Sequence, residues 1–325
     1  MPDTVRITDV APRDGLQNEP GAVPTADKAA LVRALASAGV DEVEVSSFVS
    51  PKWVPQLGDA ADLFELLAGD RPDGVTLSAL VPNEKGMARA LETDARAGGG
   101  LIGKVAVFTA ASETFSQKNT NASIAETIER FRPVIDMARG AGIAVRGYVS
   151  CAVACPYEGP IRPEAVGDVV TRLLELGCDE IDLGDTIGEA VPDTVAAVLL
   201  ETIERLDGRR LNDRGEPILT LHLHDTFGRA ADCVREALTL GVRSFDGSAG
   251  GLGGCPYAST GGARAPGNIA TSLLVRTIED EGFATNVHPA KLAHASAMAE
   301  RMVAGARAVD TANDGESRPE GGGGR

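Results

Sequence analysis

Residues 176–185 read L-G-C-D-E-I-D-L-G-D, and the same grammar recurs at 38–47 (A-G-V-D-E-V-E-V-S-S), 141–150 (A-G-I-A-V-R-G-Y-V-S) and 240–249 (L-G-V-R-S-F-D-G-S-A). In each, a helical stretch ends on a glycine (Gly39, Gly142, Gly177 or Gly241) and a short Val- or Ile-bearing run follows. A glycine in that place fits the left-handed residue that terminates a helix. The unit is therefore a helix feeding a strand, repeated along the chain. Strands are expected near 5–10, 41–47, 75–81, 104–109, 144–150, 180–185, 219–225 and 244–248. Amphipathic stretches lie between them. Asp27 to Ala38 puts Leu31, Val32 and Leu35 on one face, and Ser123 to Arg139 does the same with Ile124, Ile128, Phe131 and Ile135. Alternation on this scale favours a closed (β/α)8 TIM barrel. The rival, an open doubly wound sheet, would carry a Gly-rich phosphate turn after its first strand, and A-P-R-D-G-L-Q-N-E at 11–19 is not such a turn.

The chain has 325 residues, 43% of them hydrophobic, enough for one large core. A barrel domain over 1–305 is expected, with a last helical stretch from Pro289 to Val303 and a disordered tail over 306–325. The net charge of −16 argues against nucleic acid and against an anionic membrane. An anionic small substrate would need a local cluster of metal, Arg or Lys. No apolar run is long enough to span a bilayer. Five cysteines without a C-x-x-C pair, and no secretory start, point to a reducing, cytoplasmic setting.

In a barrel the strand ends converge on one mouth, and the polar residues fall there. Arg13, Asp14 and Gln17 follow the first strand; Glu44 and Ser47 lie in and at the end of the second; Asp185 and Thr186 end the sixth; Asp246 and Ser248 lie on the eighth. The seventh reads L-T-L-H-L-H-D-T from Leu219 to Thr226 and holds two of the four histidines. Alternate strand residues share a face, so His222 and His224 project together, ready either to hold a divalent cation or simply to be satisfied by hydrogen bonds. A run of seven glycines spread between Gly250 and Gly267 follows the eighth strand and carries Cys255. It reads either as a flexible surface loop with an incidental thiol or as a mobile lid that brings an acid–base thiol to the mouth.

Several long stretches also carry a family resemblance. D-V-A-P-R-D-G-L-Q-N-E, V-E-V-S-S-F-V-S-P-K-W-V-P-Q-L-G-D, A-A-S-E-T-F-S-Q-K-N-T-N-A-S-I, V-R-G-Y-V-S-C-A-V-A-C-P-Y-E-G, L-G-D-T-I-G, H-L-H-D-T-F-G and A-G-G-L-G-G-C-P-Y-A resemble the 3-hydroxy-3-methylglutaryl-CoA (HMG-CoA) lyase family of the DRE-TIM metallolyases. The resemblance implies a TIM barrel that cleaves HMG-CoA to acetyl-CoA and acetoacetate with Mg2+ or Mn2+, and a homodimer acting on an acyl-CoA substrate. It implies metal ligation by Asp14, His222, His224 and Asn268, and stabilisation by Arg13 of the enolate on the thioester oxygen. Glu44 would support Arg13 and the metal site, Asp185 would take part in proton transfer from the tertiary hydroxyl, Cys255 would protonate the acetyl-CoA carbanion or enolate, and Gln17 and Ser47 would line the site.

The residue types suit that chemistry. A chelating cation and a carboxylate help the hydroxyl lose its proton. An Arg stabilises the developing oxyanion without titrating. A thiol can return a proton to the enolate. The chain departs from the family in a longer segment between Cys255 and Asn268, which includes Arg264, and in Ser272, Asp9, Leu223 and Ala154, where Glu, Glu, Cys and Gly are usual. The longer loop leaves room for a longer-branched 3-hydroxyglutaryl-CoA. A Claisen-type synthase of the superfamily and a catalytically silent metal- or CoA-binding barrel are the other readings. Cys151, Cys155, Cys178 and Cys233 are expected to be buried and inert, and Trp53 to pack the loop after the second strand.

Overall fold

The computed structural model describes residues 3–253 and 267–316, with side chains through 307. The strands are β1 (Arg6–Asp9), β2 (Glu42–Ser47), β3 (Thr76–Leu80), β4 (Lys104–Ala110), β5 (Ala144–Ser150), β6 (Glu180–Asp185), β7 (Leu219–Leu223) and β8 (Ser244–Gly247). They run parallel in sequence order, and β8 pairs back onto β1 from Arg6↔Ser244 to Asp9↔Gly247, closing a barrel. The fold is the expected TIM barrel. The helices are α1 (Thr25–Ala38), α2 (Ala60–Ala68), α3 (Glu84–Arg96), α4 (Glu113–Thr120), α5 (Ile124–Gly140), α6 (Pro163–Leu176), α7 (Pro192–Arg205), α8 (Ala230–Thr239), α9 (Thr271–Asp280) and α10 (Pro289–Glu316).

The four repeated glycines behave as read: Gly39, Gly142, Gly177 and Gly241 have φ of 87°, 72°, 110° and 88°. Helix α5 starts on a capping box, with Ser123 accepting from Glu126 N–H and Glu126 accepting in return from Ser123 N–H. Its Ile124, Ile128, Phe131 and Ile135 are buried, as are Leu31, Val32 and Leu35 of α1.

Two boundaries differ from expectation. β7 ends at Leu223, and His224 instead forms a lone bridge to Asn268 on the returning chain. The last helix continues to Glu316, past the expected start of the tail at 306. Its Ala-rich sequence is a good helix former, and Arg307 is tied to Glu19 by hydrogen bonds of 2.8 and 2.9 Å.

Strand alternation sorts side chains into two environments. Outward residues such as Ile7, Val43, Val105, Ile181, Leu183 and Phe245 join the apolar core beneath the helices. The inward set is largely polar. Lys104 donates to Glu42 at 2.6 Å and to Glu180 at 2.5 Å. Thr220 links Glu180 to Ser244 at 2.5 and 2.8 Å. Arg146, 1% exposed, contacts Glu180 at 2.7 Å, Asp246 at 3.0 Å and Asp182 at 3.3 Å. The barrel axis is thus a column of paired charges.

Removing one member of such a buried network strands its partners without solvent. Lys104→Met is expected to cost about 3–5 kcal/mol in urea denaturation. A loss below about 1 kcal/mol, the range of a surface ion pair, would show that Lys104 is dispensable there.

Candidate active site

The mouth is built first from the end of β1. The chain turns there through one wide helical turn, Ala11–Gly15, in which the N–H groups of Asp14 and Gly15 both reach Val10 O, at 2.8 and 3.1 Å. Pro12, with no N–H to satisfy, suits the start of such a turn. Asp9 fastens it by accepting from Ala11 N–H at 3.0 Å and from the Thr271 hydroxyl of α9 at 2.7 Å. Burial pushes the Asp9 carboxyl up to about 6 against those two bonds.

The turn sets Arg13 and Asp14 side by side. Arg13 Nε and Nη2 both lie 2.6 Å from Glu44 Oε2, and Nη1 lies 2.7 Å from Asp14 Oδ1. The guanidinium carbon also stands 5.6 Å from the centre of the Tyr148 ring. Burial opposes the charge on Arg13, but Glu44 and Asp14 outweigh it and raise its pKa above the ordinary value. The result is a fixed, permanent cation at the mouth.

Asp14 is held from three sides. Its Oδ1 accepts from Arg13 and from Gln17 Nε2, each at 2.7 Å, and its Oδ2 accepts from Asn268 Nδ2 at 2.8 Å. Burial raises its pKa, but Arg13, His222 and His224 bring it down to about 2. The two imidazoles lie on one face, as their spacing requires, with ring centres 5.4 Å apart. Asp14, His222 and His224 bring their donor atoms within 4.8 Å of one another. His222 Nδ1 is taken by Asp246 Oδ2 at 3.2 Å. Burial and the neighbouring His222 lower His224 to about 4, which leaves its ring neutral and able to ligate near pH 7.

This donor set fits a divalent cation. Among the described residues, His224 Nδ1 and Asn268 Oδ1 are both buried without a hydrogen-bond partner, one nitrogen and one oxygen donor beside the ionised Asp14. A second group, Asp182, His222 and Asp246, also falls within 4.8 Å. There Arg146 Nη1 already stands 3.0 Å from Asp246 and 3.3 Å from Asp182, so a cation is built in. The upper group is the candidate metal centre.

The expected residues distribute as follows. Arg13, Asp14, Gln17, Glu44, His222, His224 and Asn268 form one connected cluster. Ser47 is buried, and its hydroxyl accepts from Val49 N–H at 3.2 Å, a contact within its own loop. Asp185 stands opposite Leu223 in the β6–β7 register, with the parity of Ile181 and Leu183, and its Oδ2 accepts from Ala190 N–H at 3.0 Å. Its other oxygen is buried and without a hydrogen-bond partner among the described residues, and burial pushes the carboxyl up to about 6 against the N–H groups of residues 188–190. Cys255 and Arg264 lie outside the described residues. Cys151, Cys155, Cys178 and Cys233 are buried, and burial pushes the thiols of Cys178 and Cys233 up to about 12. Trp53 does not pack its loop but is 82% exposed, because the tip Pro51-Lys52-Trp53 turns outward into solvent.

Tyr148 and Arg146 were not among the expected site residues. The Tyr148 hydroxyl lies 3.3 Å from Glu44 and 3.4 Å from Asp246, so it joins the Arg13 side of the site to the His222 side. The inward parity of R-G-Y in β5 was the available signal.

Fold and site together define a TIM-barrel enzyme with a mixed carboxylate–imidazole centre beside a fixed arginine. The chain belongs to the HMGL-like family, whose sequence profile matches residues 4–299. It is 45% identical over 285 residues to hydroxymethylglutaryl-CoA lyase of Pseudomonas mevalonii, covering 87% of each chain. It is 43% identical to the mitochondrial hydroxymethylglutaryl-CoA lyase of Bos taurus, over 91% of this chain and 85% of that one. The crystal structure of the HMG-CoA lyase from Brucella melitensis superposes with a TM-score of 0.83 at 46% identity, over 93% of this chain and 99% of that one. An HMG-CoA lyase from Acinetobacter baumannii, solved with coenzyme A and 3-methylmalate, gives 0.80 at 33% identity, over 93% of this chain and 92% of that one.

Gly253 sets how closely the chain after β8 approaches this centre. It has φ of +95°, and a Cβ there would stand 2.6 Å from Asn268 Nδ2 and 3.1 Å from Asp14 O. Gly253→Ala is expected to displace Asn268 and weaken Mn2+ binding by about 10-fold or more, the scale of a lost supporting contact, in a calorimetric titration. Unchanged affinity would show that the close approach does not matter.

Proposed function

We propose that this protein cleaves HMG-CoA to acetyl-CoA and acetoacetate by a retro-Claisen reaction, using Mg2+ or Mn2+. The observation that carries the reading is the juxtaposition of the Asp14–His222–His224 donors with Arg13, itself locked by Glu44. The names of the relatives support the substrate, and the coenzyme A in the Acinetobacter structure supports a thioester. A homodimer belongs to the same reading.

Asp14, His222, His224 and Asn268 would hold the ion. Bound there, it supplies Lewis-acid polarisation of the substrate's oxygens, which makes the tertiary hydroxyl easier to deprotonate. Asp185 accepts that proton. Its raised pKa and unpaired Oδ1 support the assignment. As the hydroxyl becomes a ketone, the carbon–carbon bond breaks and its electron pair passes to the thioester, where Arg13 faces the negative oxygen. Glu44 keeps Arg13 from swinging away, and Gln17 orients Asp14. Cys255 gives its proton to the enolate carbon, completing acetyl-CoA. Ser47 lines the loop beside the site.

The expected result is acetoacetate formation from HMG-CoA that depends on Mg2+ or Mn2+ and needs no 2-oxoacid. His222→Ala and Cys255→Ala should each lose about 100-fold or more, the scale of a catalytic proton donor or a metal ligand. Full turnover in both variants, or none in the wild type with Mn2+ bound, would reject the reading.

The role of Asp185 is read from pH dependence. A base must be ionised, so kcat/KM should rise as pH rises through about 6, the value to which burial lifts Asp185. Asp185→Asn keeps an acceptor for Ala190 N–H but cannot take a proton. It should abolish that acidic limb and lower turnover by about 100-fold. A limb that survives in the variant would reduce Asp185 to a builder of its loop.

A further inference from the structure

Beneath the candidate metal centre lies a second layer that the reaction itself does not use. Arg146 reaches the barrel axis from β5. Its Nη1 stands 3.0 and 3.2 Å from the two oxygens of Asp246, 3.3 Å from Asp182 Oδ2 and 3.3 Å from the Tyr148 hydroxyl. Its Nη2 is held 3.1 Å from Thr8 and 2.7 Å from Glu180. Asp246 therefore has its carboxylate plane fixed from below, by a group that is itself fixed from β1, β5 and β6.

Oδ2 of that carboxylate is the atom 3.2 Å from His222 Nδ1. An ionised carboxylate accepts only, so the His222 nitrogen facing it carries a proton, and in the neutral ring that ligates a cation the lone pair is on Nε2. The ring has little freedom to do otherwise. Tyr148 meets it edge-on, with ring centres 6.3 Å apart and planes at 88°, and a half-turn of the imidazole would put a carbon against Asp246. His224 has Asn268 beside it rather than a buried carboxylate at its Nδ1, and among the described residues that Nδ1 makes no hydrogen bond. The two histidines are thus held unequally.

We propose that Asp246, braced by Arg146, is a positioning residue that fixes the tautomer and orientation of His222, so that Nε2 is presented to the divalent cation. This rests on the metal reading of the Asp14–His222–His224 cluster. Asp246 meets the ring at Nδ1, and it is not one of the Asp14–His222–His224 donors. Asp246 also accepts from the Tyr148 hydroxyl at 3.4 Å, so the part of its effect on the ion that passes through His222 is what separates the proposal from a general electrostatic or structural contribution.

The test is a double-mutant cycle read as Mn2+ affinity, with free Mn2+ followed by electron paramagnetic resonance. Wild type, Asp246→Asn, His222→Ala and the double variant are compared. Asp246→Asn should weaken Mn2+ binding by about 10–100-fold in the wild-type background and by less than about 3-fold when His222 is absent. Equal weakening in both backgrounds would mean that Asp246 acts by charge or by fold and would overturn the proposal, as would unchanged affinity in Asp246→Asn. If the wild type bound no Mn2+, the metal reading would fall and this proposal with it. Should Asp246→Asn not fold, 15N NMR of the wild-type imidazoles with Mg2+ decides the point. His222 protonated at Nδ1 is expected; protonation at Nε2 would overturn the assignment.

Discussion

A guanidinium at the centre of a barrel has no water to turn to, and Arg146 is 1% exposed. Desolvating it costs several kcal/mol unless anions surround it, and they do: Glu180 and Glu42 below and Asp246 above, with Asp182, whose carboxyl burial and Asp246 push up, beside it. Each of those carboxylates has been stripped of water as well, so each needs Arg146 or Lys104 in turn. Burial alone would raise Glu180, yet Arg146 and Lys104 pull it below its ordinary value. The charges of β2, β4, β5, β6 and β8 can only be satisfied together, and only when the barrel is closed. The top of this column is Asp246, and His222 stands on it. What the arrangement gives up in hydrophobic burial it returns as a fixed platform for the mouth.

Strand alternation then decides what each acidic residue does. Glu42, Glu44, Asp182 and Asp246 have inward parity and meet Lys104, Arg13 or Arg146. Asp9 and Asp185 have the opposite parity, and both stitch the strand end to the chain that follows: Asp9 to Ala11, Asp185 to Ala190. Asp225, just past β7, does the same to Ala230 at 3.0 Å. The stretches D-T-I-G-E-A and D-T-F-G-R-A are thus the same turn used twice. Asp185 lies deep enough that burial raises its pKa to about 6, and among the described residues its Oδ1 has no hydrogen-bond partner. A structural turn and a group able to exchange a proton are compatible in one carboxylate because it has two oxygens.

The sequence made the frame legible because the frame is local. A helix-ending glycine, an apolar strand and an amphipathic helix face each depend on neighbours a few residues away, so Gly177, Ile181 and Ile128 could be read directly. His222 and His224 were legible for the same reason, since period two is a property of one strand. Asp14 and Asn268 are 254 residues apart and touch at 2.8 Å; only the family resemblance joined them. Arg146 and Tyr148 stayed hidden because a lone charge in a strand says nothing about which carboxylates closure will bring across the axis. Helix α10 runs past 306 because its alanines outweigh the glycine and aspartate near its end, and its contact of Arg307 with Glu19 is not local.

Asn268 shows how the two kinds of constraint meet. Its backbone N–H bonds to Gly253 O at 3.0 Å, and its side-chain amide donates to Leu252 O at 2.9 Å and to Asp14. Ile269 N–H then reaches Leu223 O, between the two histidines, at 2.9 Å. One short segment therefore ties the chain leaving β8, the turn after β1 and the end of β7 into a single hydrogen-bonded unit. However long the intervening segment between Gly253 and Gly267, its two ends are fixed at the same place against Asp14. The geometry of the candidate donor cluster is thus set by these anchors and by the charged column below.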